Sequence, residues 1–407
     1  MPELPVKVFP VKCTNIQDVL LNKIRAECLK NNNTPCPLLI FVLLCMVENI
    51  LVKNKNYINT MTSALRLLIV DDSKLMREAI VGIFADDENI MMEEAANGLE
   101  ALVLLDKFKP DVVTLDINMP GLDGIGTLKR MMIEHPVPTV MLSSLTQEGA
   151  KITFDALRYG AVDFISKPTA LSEISLQEQA EQIRSRVRYA SEVELAAIKY
   201  IRHEPKSADV KSLTDDGQCR HIVAMGAAEG GYGALLKIVP QLAVETDSAY
   251  LISLHMASEF VDAFIGYLNT CSQIPVKRAS HNEILKPGCC YISSGTDYMS
   301  VHSEGDVFSL HISPAPFVTR RGAIDMLLFS TAESMGDQAA GVILSGLGED
   351  GSEGLEEIIR VGGKAIVQDP HTCFCKEMAL SVLERCDVEN IVADTEIPSI
   401  LNGNLNN

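Results

Sequence analysis

From Leu65 onward, short apolar runs alternate with stretches in which apolar residues recur at helical spacing, the pattern of a strand followed by an amphipathic helix. In "LRLLIVDDSKLMREAIVGIF" the run gives way to Asp71, Asp72 and Ser73, which suit a helix start. Leu75, Ala79, Ile80 and Ile83 then share one helical face. The unit recurs. "DVVTLDINMPGLDG" is a strand ending in Asp116 and a Met-Pro-Gly turn, "TVMLSSL" ends in Ser143, and "AVDFISKP" ends in Lys167 and Pro168. A second series opens with "HIVAMGAAEGGYGAL", a strand, a glycine-framed loop and a helix. It continues with "AYLISLHM" ending in His255, "AAGVILSGLGEDGSEGL" carrying Asp350, and "GGKAIVQDP". Strands alternating with helices predict the α/β class with two parallel-sheet domains, in which ligands sit at the carboxyl ends of the strands.

Length and breaks in the pattern divide the chain, for 407 residues exceed what one ordinary core organises. Residues 1–61 read as an N-terminal extension. Its apolar stretch "PLLIFVLLCMVENILV" is interrupted by Glu48, is too short to span a membrane, and suits a short buried or surface-docked helix. The polar, lysine-bearing segment before it does not have the layout of a cleavable signal, and Met61 stands as an alternative start. The first domain is expected over 62–170, a helical extension and linker over 171–217, the second domain over 218–400 and a polar tail over 401–407. The break itself lies between Arg202 and Gly217, where the chain is polar, contains Pro205 and has no apolar period.

Charge narrows the function classes. With 54 acidic against 35 basic residues the net charge is −19, which argues against a nucleic-acid-binding surface and against an anionic membrane face. No membrane insertion is expected. The eleven cysteines show no paired C-x-x-C spacing, so neither a zinc site nor a disulfide framework is suggested. They read as reduced thiols in a cytoplasmic protein.

Asp71, Asp72, Asp116, Ser143 and Lys167 all fall at predicted strand ends. Three carboxylates in one crevice repel unless cations neutralise them, and the natural supply is a divalent, oxygen-preferring ion plus the Lys167 ammonium. The set suits phosphoryl transfer to a carboxylate, with Asp116 attacking, Asp72 and Asp116 on the metal, and Ser143 and Lys167 holding the arriving oxygens. Singly, the aspartates would be helix caps and the lysine a surface charge. Together, in this order, they favour a site.

In the second series a turn at Ala228, a strand-end His255 and a strand-end Asp350 stand where a hydrolase sheet keeps its nucleophile, general base and base-orienting carboxylate. Yet no serine, threonine or cysteine lies between Gly226 and Gly231. The loop is an ordinary turn, a phosphate cradle, or an active site without its attacking atom.

On these residues, Leu65 to about Pro168 resembles the flavodoxin-like receiver domain of two-component response regulators. The resemblance implies that Asp116 is the phosphoacceptor of a chemotaxis-type, CheA-like histidine kinase. It implies Mg²⁺ held by Asp72, Asp116 and the backbone carbonyl of Asn118, with Asp71 assisting, and a switch formed by Ser143, Phe164 and Lys167. The region from about His221 to Val392 resembles the Rossmann-like effector domain of the CheB protein-glutamate methylesterases. It does so in the Gly-Ala-x-x-Gly-Gly turn, the His-Met pair and "SGLGEDG". His255 and Asp350 match two triad members. Where the family carries serine then threonine, this chain has Ala228 and Glu229, and it departs further at Leu347, Ser293–Tyr298, Arg320–Asp325 and Lys376–Ala379. The resemblance implies a chemotaxis response regulator whose esterase-like site is degenerate and whose effector domain has become a binding or regulatory module, with chemoreceptors as possible partners. Two other readings are an active methylesterase or glutamine deamidase working on chemoreceptors through an atypical site, and a phosphate-sink receiver with an inert tail.

Overall fold

The first sheet is built from β1 (Leu65–Val70), β2 (Ile90–Ala95), β3 (Val112–Asp116), β4 (Thr139–Ser143) and β5 (Asp163–Ser166), in the order β2-β1-β3-β4-β5. All its pairings are parallel. Connecting them are α1 (Lys74–Phe84), α2 (Gly98–Phe108), α3 (Gly124–Glu134) and α4 (Gln147–Arg158), and α5 (Leu176–Ser191) follows. With helices on both faces, β3 and β4 are buried throughout, which is why they read as unbroken apolar runs. Helix starts are set by side-chain caps: Ser73 accepts from Met76 N–H, Asn97 from Glu100 N–H and Asp123 from Gly126 N–H, while Ser175 and Glu178 form a capping box on α5. The strand order reverses between β1 and β3, which opens the crevice above Val70 and Asp116.

The second sheet has the order β14-β13-β12-β6-β7-β9-β8 and is parallel throughout. Its strands are β6 (His221–Ala227), β7 (Ser248–Leu254), β8 (Val276–Arg278), β9 (Cys290–Ser294), β12 (Ala339–Ile343), β13 (Lys364–Gln368) and β14 (Asn390–Val392). The order reverses between β6 and β12. The helices are α6 (Gly231–Ile238), α7 (Ser258–Cys271), α8 (Ala323–Met335), α9 (Ser352–Arg360), α10 (Glu377–Arg385) and α11 (Ile397–Leu401). The alternation of strand and helix breaks between β8 and β11: β8 and β9 follow one another with no helix between, and β10 (Asp297–Glu304) and β11 (Val307–Pro314) pair as an antiparallel hairpin. Within the departing segment Ser293–Tyr298, Ser293 and Ser294 end β9 while Asp297 and Tyr298 open β10.

This computed structural model describes residues 64–143, 147–168, 175–193, 195, 219–256, 258–295, 297–314 and 322–403. The N-terminal extension with its apolar stretch and Met61, the break at Arg202–Gly217, and Arg320 and Arg321 lie outside the described residues. No described helix is long and apolar enough to cross a membrane, and the described cysteines are free thiols.

The two sheets share one apolar cluster. Phe154 of α4 meets Phe264 edge-on and Tyr267 at a tilt, both on α7, at centroid distances of 5.1 and 5.5 Å, and Phe164 of β5 meets Tyr232 of α6 and Phe260 of α7 at 5.1 and 5.3 Å. Aromatic pairs of this kind contribute about 0.5–1.5 kcal/mol each beyond the area they bury. Polar groups are threaded through the same seam. Asp163, wholly buried, bonds to both Tyr232 Oη and Arg186 Nη1 of α5, and Arg186 Nη1 also donates to Tyr232 Oη at 2.7 Å. Tyr267 Oη donates to Asp155 Oδ1 at 2.5 Å and accepts from Arg158 Nη1 at 3.2 Å.

Candidate functional site

At the first crevice, β1 ends at Val70 and delivers Asp71 and Asp72, while β3 ends in Asp116 itself. The three carboxylates offer oxygens within 4.8 Å of one another. Lys167, just past β5, places Nζ 2.8 Å from Asp71 Oδ2 and 2.8 Å from Asp116 Oδ1. Burial pushes the Asp116 carboxyl above its ordinary range, against the pull of the Lys167 ammonium. Burial also acts to lower the lysine, but its two carboxylate partners outweigh that and hold it above its usual value. Asn118 N–H donates to Asp116 Oδ1 at 3.3 Å, which brings the exposed Asn118 backbone to the rim.

Asp116 Oδ2 is buried and has no hydrogen-bond donor among the described residues. An anionic oxygen in that position calls for a cation, and three clustered carboxylates suit a hard, oxygen-preferring divalent ion such as Mg²⁺. Ser143 ends β4 fully buried, its Oγ 2.8 Å from Thr153 Oγ1 of α4. Phe164 lies one strand away with its ring in the seam between the two sheets. The structure therefore gathers Asp71, Asp72, Asp116 and Lys167 at one point, with Ser143 ending the adjacent strand and Phe164 facing the second domain.

At the second crevice, β6 ends at Ala227 and the turn carries Ala228 and Glu229 into Gly230, whose φ of +78° places it in the left-handed region glycine favours. A Cβ on Gly230 would also lie 2.3 Å from Phe374 Cβ. Ala228 is 0% exposed. It packs so tightly that a Cβ on Gly346 would fall 2.7 Å from Ala228 Cβ and 2.0 Å from Met378 Sδ. Ala228 N–H is used as well, donating to Ser345 O at 3.0 Å. His255 N–H donates to Ala227 O at 2.8 Å, so the histidine leaves β7 beside the turn, and its Nε2 stands 3.3 Å from Asp350 Oδ2. Asp350 is further held by Ile324 N–H at 3.2 Å and Asp325 N–H at 3.0 Å, amides in the first turn of α8. Burial acts to raise the Asp350 carboxyl, yet His255 and those amides outweigh it and hold it low. Neighbouring Asp325 is pushed by burial, with Asp350's charge adding, to about 6.

His255 and Asp350 thus meet as a pair, and the turn that follows Ala227, the backbone partner of His255, carries the buried methyl group of Ala228. Other hydroxyls do not replace the missing one. Ser345 Oγ is buried within bonding distance of Glu229 O at 2.8 Å and accepts from Cys375 N–H at 2.9 Å, so it ties loops together. Ser253 and Ser293, register partners on β7 and β9, are buried inside the sheet.

Asp163, Arg186, Tyr232 and Thr153 join these contacts without standing at the carboxyl end of a strand or in a motif of the sequence. A charged residue opening the apolar strand "AVDFISKP" is the one signal that pointed to a buried partner.

Known proteins align with both halves. The family described as "Response regulator receiver domain" matches residues 67–177, and that described as "CheB methylesterase" matches residues 223–401. Among curated relatives, each described as a "Protein-glutamate methylesterase/protein-glutamine glutaminase", that of Pyrococcus abyssi is 34% identical over 342 residues, covering 82% of this chain and 92% of the relative. That of Pyrococcus horikoshii is 33% identical over 341 residues, covering 82% and 92%. The Archaeoglobus fulgidus protein is 33% identical over 335 residues, covering 82% and 96%.

Proposed function

Because this chain belongs to the CheB family of chemotaxis response regulators, a receiver joined to a methylesterase domain, we propose that its receiver still accepts phosphate while its effector domain has lost hydrolysis. On this reading the protein works in the cytoplasm, takes its phosphoryl group from a CheA-like histidine kinase, and uses the effector domain as a binding or regulatory module toward chemoreceptors. The observation that carries it is the contrast between the two crevices. Asp71, Asp72, Asp116 and Lys167 converge, whereas the turn beside His255 and Asp350 holds a buried methyl group at Ala228.

Asp71, Asp72, Asp116 and the Asn118 carbonyl would hold Mg²⁺, which when bound neutralises charge on the phosphoryl oxygens. An Asp116 carboxylate oxygen bonds to phosphorus as the P–N bond of the donor phosphohistidine breaks. The electron pair leaves with the imidazole, which takes up a proton from solvent. Lys167 moves from its carboxylate partners onto a phosphoryl oxygen, and Ser143 Oγ takes another. In the second crevice no acyl-enzyme can form at Ala228, since alanine has no lone pair to attack a carbonyl. Glu229 beside it would repel an oxyanion.

The test has two arms on the purified full chain. Incubation with a small phosphodonor and Mg²⁺ is expected to give acid-labile phosphate that Asp116→Asn abolishes. Methanol release from methylated receptor is expected to stay at background for the phosphorylated protein. Labelling of the Asp116→Asn chain at full stoichiometry would remove the phosphoacceptor assignment, and catalytic methanol release would restore the active methylesterase reading.

A further inference from the structure

We propose that the outer face of the β10–β11 hairpin binds a borderline divalent transition-metal ion, Zn²⁺ or Ni²⁺, through the imidazoles of His302 and His311. Three of the chain's eight histidines meet on this face. His302 pairs across the hairpin with Ser309, and Ser300 with His311, so the two histidines are diagonal neighbours on the same side of an antiparallel pair. Diagonal positions lie within reach of two long side chains. Their ring centroids are 5.9 Å apart and both side chains are exposed. Rotation about χ1 and χ2, which costs little at the surface, can bring one nitrogen of each ring onto a shared ion.

The surroundings favour a cation over a mere ring contact. The residues directly opposite the two histidines are serines, small and uncharged, which leave room for an ion and its waters. Lys277 is engaged by Glu283, whose backbone carbonyl accepts from Leu310 N–H of β11. The scaffold is firm, because the inner face of the hairpin buries Met299, Val301 and Leu310, and Val301 N–H donates to Ser330 Oγ of α8 at 3.0 Å. His281 stands edge-on to His311 with centroids 4.5 Å apart, and its Nδ1 accepts from Ile312 N–H at 3.2 Å. A neutral ring bonded that way carries its proton on Nε2, so His281 confines His311 and the chelate has two protein nitrogens. Imidazole pairs prefer zinc, nickel and copper to magnesium, so this site and the carboxylate crevice sort ions by donor type.

The experiment is Ni²⁺ titration by calorimetry of the full-length protein at neutral pH, with Mg²⁺ present in excess to occupy the acidic crevice. One saturable equivalent is expected. The His302→Gln, His311→Gln double variant should bind at least about tenfold more weakly, while His281→Phe, which keeps a ring edge against His311, should bind as the parent does. Absence of saturable binding by the parent, or unchanged affinity in the double variant, overturns the proposal. Loss of binding in His281→Phe overturns the two-nitrogen assignment. Circular dichroism of each variant separates lost ligation from lost folding, and His311→Cys, which restores a ligand for Zn²⁺, should recover Zn²⁺ affinity.

Discussion

On the proposed reading, the side chain at position 228 decides whether the second crevice can hydrolyse an ester. Ala228→Ser would add the missing hydroxyl beside His255, yet it would do so at a position that is fully buried, with its own N–H already given to Ser345 O. A buried hydroxyl without a partner costs about 1–3 kcal/mol, and a misplaced substrate costs a further hundredfold or so in rate. Methanol-release assays should therefore find no family-like turnover in Ala228→Ser, with Ala228→Ser, Glu229→Thr somewhat better than either change alone. Family-like turnover by the single variant would show that the rest of the cleft is intact. Asp325 offers a second residue-level test. Its folded pKa of about 6 lies above the ordinary 3.8, so between those values the folded chain binds the proton more tightly than the unfolded chain does. The contribution is whole below that window and is lost as pH rises through it. Asp325→Asn, which keeps an acceptor for Gly354 N–H, should raise unfolding free energy by about 1–2 kcal/mol above the window and by nothing below it. Urea melts across the pH range would read this directly, and an equal gain at every pH would exclude titration as its origin.

At the level of elements, the seam between β5, α5 and α6 is held by Asp163, Arg186 and Tyr232. Burial pushes the Asp163 carboxyl up even with Arg186 against it, so this pair stands only while both partners are present. Arg186→Met leaves a buried carboxylate alone and should cost about 3–5 kcal/mol, whereas Tyr232→Phe removes one hydroxyl and should cost about 1–2 kcal/mol. If denaturation gave equal losses for the two, the ion pair would not be the centre of the seam. Because Tyr232 is the second residue of α6, which starts at Gly231 right after the turn, the same contacts tie the receiver sheet to the turn that carries Ala228.

Across the whole molecule, the path from the carboxylate crevice to the second sheet is short. Ser143 touches Thr153, and the next two residues, Phe154 and Asp155, contact Phe264 and Tyr267 of α7. A phosphoryl group on Asp116 that draws Ser143 toward itself would relieve α4 of that contact and bias the seam between two arrangements. Amide hydrogen exchange in α4, α6 and α7 is expected to quicken on phosphorylation. Identical exchange in the two forms would mean that the sheets are not coupled through this route.

The sequence by itself determined the α/β class and which chemistry-bearing residues stand at strand ends. Strand and helix periods are local, so the alternation from Leu65 onward, the strand-end placement of Asp71, Asp72, Asp116, Ser143 and Lys167, and the lack of a nucleophile at Ala228 could all be read without coordinates. What the periodicity left open was whatever depends on packing between distant segments. The hairpin of β10 and β11 breaks the alternating rule, and its histidines meet only because an antiparallel register sets positions 302 and 311 diagonally. Asp163, Arg186 and Tyr232 are far apart along the chain, and although a charge in an apolar strand marks Asp163 as needing a partner, nothing local says which residues supply it. Tertiary structure decides such contacts because burial, which makes an unpaired charge costly and an aromatic face valuable, is a property of the assembled core and not of any one segment.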